Sequence, residues 1–141
     1  MSTVNAQLLI WAPTDKVWEK IAGFGSLASW CSSVNTCHLS DDGLYRYLQT
    51  RDGDSVVERL LGYSEKNRFY SYTITSAPFQ VEAYEATLSA IASGPDATLV
   101  TWSCEFRAGA KETDTLRHAF AELFHAGLQD LRNALELPRK S

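Results

Sequence analysis

The sequence predicts an α+β domain in which a curved antiparallel sheet wraps a long C-terminal helix. Three observations carry that prediction. From Thr113 to Leu135, Leu116, Ala119, Phe120, Leu123, Phe124, Gly127, Leu131 and Ala134 fall in one stripe at helical spacing. From Thr98 to Phe106 the period changes to two, with Val100, Trp102, Cys104 and Phe106 on one face and Thr101, Ser103 and Glu105 on the other. Ahead of both, Asp41-Asp42-Gly43 and Asp52-Gly53-Asp54 separate short strand-like runs as hairpin turns.

The elements follow in order. Val4 to Trp11 is a first strand, because Val4, Ala6, Leu8 and Ile10 alternate with Asn5 and Gln7. Pro13 suits a helix start, and Val17, Trp18, Ile21 and Ala22 recur at helical spacing until Gly23-Phe24-Gly25 ends the segment. Ser26 to Trp30 gives a second short helical piece, and Val34 to Leu39 is extended again. A meander then runs through Leu44 to Thr50, Ser55 to Tyr63, Arg68 to Thr75 and Glu82 to Ile91, broken at Ser64 to Asn67 and at Ala77-Pro78-Phe79. Ala92 to Asp96 supplies the last hairpin turn, so the sequence predicts seven strands, two short helices after the first, and one long helix.

Composition limits the functions open to such a chain. At 141 residues with 45% hydrophobic side chains, residues 1–141 make one domain able to bury a core without disulfides or metal. The net charge of -4, with no Lys/Arg run longer than the Arg139-Lys140 pair, offers no footprint for nucleic acid. No apolar stretch reaches the ~20 residues of a membrane span, and Met1 to Asn5 lacks the features of a secretory signal. The expectation is a cytoplasmic protein without stable membrane insertion.

Neither a metal nor a cofactor is expected. Cys31, Cys37 and Cys104 cannot all pair within the chain and form no C-x-x-C motif, so they read as reduced thiols, Cys104 as a small buried hydrophobe. His118, Glu122 and His125 have the spacing of a helical metal site, but they lie opposite the apolar stripe and read as a solvated face. Gly23-Phe24-Gly25 lacks the remaining glycine and the strand-helix unit of a dinucleotide fingerprint.

Several runs, in this order and spacing, carry a family likeness. Ala12-Pro13-Thr14-Asp15-Lys16-Val17-Trp18, Phe24-Gly25-Ser26-Leu27-Ala28-Ser29-Trp30, Val57-Glu58-Arg59-Leu60 and Tyr70-Ser71-Tyr72-Thr73-Ile74 resemble the polyketide cyclase/dehydrase-like branch of the START-like (SRPBCC) superfamily. Tyr84-Glu85-Ala86-Thr87-Leu88 and Thr101-Trp102-Ser103 continue the match, which extends from Val4 to about Leu135. The resemblance implies a helix-grip fold with a deep apolar cavity, which across the superfamily holds lipids, sterols, hormones, polyketides or other hydrophobic molecules. Plant abscisic-acid receptors are distant members. Laid along their pattern, the pocket positions fall on Asn35, Glu58, Tyr72, Ile74, Phe79, Val81, Tyr84, Ala86, Leu123 and Gly127. Asn35 replaces the receptors' pocket lysine, and the short Arg51-Asp52-Gly53-Asp54 turn has no room for their gate loop. Both departures argue against hormone sensing by the receptors' mechanism.

The candidate residues have their own physical readings. Glu58 shares a strand face with Val56 and Leu60; facing a cavity, its pKa would rise by desolvation and suit an acid or base, whereas a rotated strand would pair it with Arg59 or another surface cation. Tyr72 and Tyr84 point inward by alternation, either to pack or to orient a ligand oxygen. Gly127 in the apolar stripe costs about 1 kcal/mol against Ala, so either a bulky sheet side chain such as Trp102 packs on it or a ligand occupies the space. Together these point to binding or transport of a hydrophobic small molecule between sheet and helix. The alternative is a polyketide cyclase/dehydratase-type enzyme with Glu58 as acid or base beside Tyr84 or Tyr72. A third reading is a partner-binding or homodimeric module.

Overall fold

Side-chain alternation and turn residues set the element boundaries. The computed structural model describes residues 1–136. Its order is β1 (Ser2–Ile10), α1 (Thr14–Ile21), a 3-10 turn (Leu27–Ser29), β2 (Val34–Leu39), β3 (Tyr45–Thr50), β4 (Ser55–Ser64), β5 (Phe69–Ser76), β6 (Glu82–Ala92), β7 (Thr98–Arg107) and α2 (Thr113–Leu135). The Arg139-Lys140 pair lies outside the described residues. The second predicted helix is thus a single 3-10 turn, too short for a helical face of its own.

All seven strands join one antiparallel sheet in the order β1-β7-β6-β5-β4-β3-β2. Each hairpin pairs neighbours in sequence, and β1 closes the arrangement against β7, from Ser2 opposite Phe106 to Ile10 opposite Thr98. Gly53 adopts φ of +89° in the β3–β4 turn, a backbone state that a side chain would strain. The start of α1 has no side-chain cap. It is tied instead to β7, where the Thr14 and Thr98 hydroxyls lie 3.0 Å apart and Thr98 donates to the Ala12 carbonyl at 2.8 Å.

The inner sheet face and α2 make the core. Leu116, Phe120, Phe124, Gly127, Leu128 and Leu131 are the buried positions of α2. Ala119 and Ala134, placed in the predicted stripe, are exposed, and Leu128 joins it. Phe120 meets Tyr84, Phe106 and Phe79 edge-on at 5.2, 5.2 and 5.7 Å between ring centroids, while Phe124 stacks on Trp102 at 4.7 Å. Such pairs add to the area they bury, by about 0.5–1.5 kcal/mol each.

Two irregularities open the sheet on the side of α2. Pairing between β5 and β6 runs only from Phe69–Ser89 to Tyr72–Ala86, so the rest of β5 and the start of β6 diverge. A bulge between Glu82 and Glu85 places Ala83 at φ of +52°, turning the start of β6 away from its neighbour. The segment from Ala77 to Val81 spans this gap, with Phe79 turned onto Phe120.

Candidate ligand cavity

Where the sheet diverges from α2 it leaves a cavity of about 500 Å³. Its walls come from Leu48, Val56, Glu58, Tyr72, Ile74, Tyr84 and Trp102 on the sheet, Pro78 and Phe79 on the spanning segment, and Phe120 and Leu123 on α2. The volume falls within the range usual for small-molecule sites, about 300–1,000 Å³, and the mix of apolar walls with a few polar groups is also usual for them.

Of the ten sequence-derived positions, Glu58, Tyr72, Ile74, Phe79, Tyr84 and Leu123 line this cavity. Asn35, Val81, Ala86 and Gly127 do not. Asn35 is the extra residue of a bulge between Val34 and Thr36, which puts it on the exposed side of the edge strand. Val81 lines a second groove of about 460 Å³ with Gln80, Glu82 and Phe106. Ala86 is fully buried in the sheet face, opposite Tyr72 on one neighbouring strand and Cys104 on the other. A Cβ on Gly127 would lie 2.6 Å from Trp102 Cζ3, so the glycine exists to admit the indole.

Behind the cavity wall, against Glu58, lies a residue that the sequence reading did not single out. Arg46 is fully buried and donates from Nε to Glu58 Oε1 at 2.7 Å, and from Nη1 to the Phe24 carbonyl at 3.1 Å and the Tyr70 hydroxyl at 3.2 Å. Its guanidinium carbon lies 4.2 Å from the Phe24 ring centroid and 4.6 Å from that of Tyr72. Glu58 therefore pairs with a buried cation of the next strand, while Arg59 faces outward 5.8 Å from the Tyr45 ring centroid. Trp102 Nε1 donates to the Tyr72 hydroxyl at 3.0 Å, leaving that hydroxyl's own proton free for another acceptor.

Burial sets the protonation of these groups. It pushes the Glu58 carboxyl above the ordinary range, and Arg46 pulls it part of the way back. Burial alone would weaken the Arg46 charge, but Glu58, Tyr70 and Tyr72 outweigh it and hold the guanidinium protonated. The Tyr72 and Tyr84 phenols are driven well up, chiefly by burial, and stay neutral. Burial also raises the Cys31 thiol to about 11 and the Cys104 thiol to about 12, so neither is a nucleophile at neutral pH.

A raised carboxyl pKa makes the folded state bind its proton more tightly than the unfolded state. Stability from Glu58 is then complete below the unfolded value and falls as pH rises through the folded one. Urea unfolding across pH should show wild type losing stability relative to Glu58→Gln as pH climbs from about 4.3. A difference that grows in the opposite direction would mean that Arg46 outweighs burial.

His118 and Glu122 are exposed, with Nε2 and Oε1 3.0 Å apart, and His125 is exposed beside them. Among the described residues no three His, Cys, Asp or Glu side chains converge as metal ligands, and no helix is long and apolar enough to cross a membrane.

The family model for "Polyketide cyclase / dehydrase and lipid transport" matches residues 1–136. The chain belongs to this family. Its family fold recurs in XoxI from Bacillus cereus, which is 30% identical over 96% of both chains with a TM-score of 0.91. A START superfamily protein from Mycobacterium smegmatis shares the fold at 14% identity and a TM-score of 0.76, covering 95% of this chain and 97% of its own. Norcoclaurine synthase from Thalictrum flavum, solved with dopamine and hydroxybenzaldehyde, does so at 15% identity and a TM-score of 0.76, over 99% of this chain and 88% of its own. The seven-stranded sheet closed on a long C-terminal helix is the helix-grip arrangement of these START-like proteins. No curated protein sequence matches the chain.

Proposed function

We infer that this family member binds and carries an apolar small molecule between its sheet and α2. One observation carries the reading: a cavity of about 500 Å³ whose walls are mainly aromatic and aliphatic, with Glu58, Tyr72 and Tyr84 as its polar anchors. The lipid-transport part of the family description supports it. Arg46 Nε holds Glu58 Oε1 at 2.7 Å, which suits a fixed polar anchor for a bound molecule. The cyclase/dehydratase reading keeps one observation in its favour, since Glu58 and Tyr84 line the same cavity. Three free cysteines suit a reducing compartment such as the cytoplasm.

Filling the cavity tests the reading. Leu123→Trp adds a ring at a half-buried lining position. Nile red, a neutral apolar dye, should bind wild type with a fluorescence rise, and the variant should bind at least about tenfold more weakly, equivalent to ~1.4 kcal/mol, with an unchanged melting temperature. Equal binding by both proteins would place the dye elsewhere and remove the cavity from the argument.

A further inference from the structure

We propose that the cavity selects a cationic amphiphile, an apolar body carrying an ammonium group, over anions of the fatty-acid type. The proposal rests on the binding reading and adds the charge of the ligand. Two independent features support it, one at the cavity rim and one inside.

At the rim, Asp52 and Asp54 from the β3–β4 turn and Glu122 from α2 bring three exposed carboxylates to one cavity from two elements. Among the described residues no Lys, Arg or His lines it. The neighbouring Arg51 is engaged, donating to the Ser32 carbonyl, and the exposed His118 imidazole lies against Glu122. An entering anion meets a negative rim with no counter-charge facing it, whereas an ammonium group is drawn in.

Inside, Glu58 is only 7% exposed and engages Arg46 through Oε1 alone. No described residue donates a hydrogen bond to Oε2. Oε2 is not sealed off but stays accessible on a residue that lines the cavity, and an ammonium there supplies a donor where a carboxylate cannot. Tyr72, Tyr84, Phe79 and Phe120 also line the cavity, and aromatic rings favour cations. Arg46 is the one competing feature, because its Nη2 has no partner. It is fully buried, however, and not part of the cavity wall.

A matched series separates charge from shape. Decylamine, decanoic acid and decanol carry the same chain with a cation, an anion and a neutral hydroxyl at about pH 7. Calorimetric titration at low salt should give the order amine, alcohol, acid, with amine over acid by about tenfold or more. Raising the salt should narrow that ratio, as should the triple variant Asp52→Asn/Asp54→Asn/Glu122→Gln. Decanoic acid binding as tightly as decylamine, with decanol also bound, would overturn the charge selectivity, leave the binding reading intact and show that Arg46 is reached. Failure of all three to bind would overturn both.

Discussion

Arg46→Met destabilises the protein by about 3–5 kcal/mol, because it strands a buried carboxylate that has lost its only cation. The Glu58 side chain is 9% exposed and that of Arg46 fully buried, so water cannot take over the lost contact. Urea unfolding reads the loss as a lower midpoint at constant slope. The double variant Arg46→Met/Glu58→Leu removes both charges and should return to within about 1 kcal/mol of wild type or exceed it, since two apolar side chains avoid desolvating the pair. The recovery distinguishes a charge effect from simple loss of volume. A single variant costing under about 1 kcal/mol would mean that the pair behaves like a solvated surface contact.

Trp102 offers the second large effect. Trp102→Ala should cost about 3–5 kcal/mol as a core truncation, because the indole stacks on Phe124 at 4.7 Å and donates to Tyr72 at 3.0 Å. Gly127 belongs to the same contact. Ala is the better helix former by about 1 kcal/mol, yet Gly127→Ala should destabilise by about 1–2 kcal/mol through overpacking, because its Cβ would sit 2.6 Å from the indole. In a Trp102→Phe background, which removes the offending ring edge, Gly127→Ala should become neutral or stabilising. That reversal in a double-mutant cycle is the diagnostic result. Additive effects of the two substitutions would show that the helix, not the indole, sets the need for glycine.

The fold was largely legible because the period of the apolar residues changes wherever the backbone geometry does. Thr98 to Phe106 and the stripe from Leu116 to Leu131 could take few other forms. Glu58 could be placed on the inner face by alternation, but its partner could not be found by looking at neighbours in sequence. The register of the hairpin does find it. A turn centred on Asp52 sets Gln49 opposite Ser55, and counting back along both strands reaches Arg46 opposite Glu58. Asn35 failed for the opposite reason: a bulge between Val34 and Thr36 breaks the count, and nothing in those side chains announces it. Val81 sits beyond the bulge at Glu82–Glu85, where family spacing and local geometry part company.

The pairing of β1 with β7 has a consequence for how the chain is made. Every other strand emerges from a ribosome beside a neighbour it can bind at once, whereas Ser2–Ile10 must wait for Thr98–Arg107. At about 5–20 residues per second, that leaves the Val4, Ala6, Leu8 and Ile10 face uncovered for roughly 5–20 s. Ser2–Ile10 carries no charge and no proline, so until β7 arrives its open edge has none of the side chains that commonly block pairing between nascent chains.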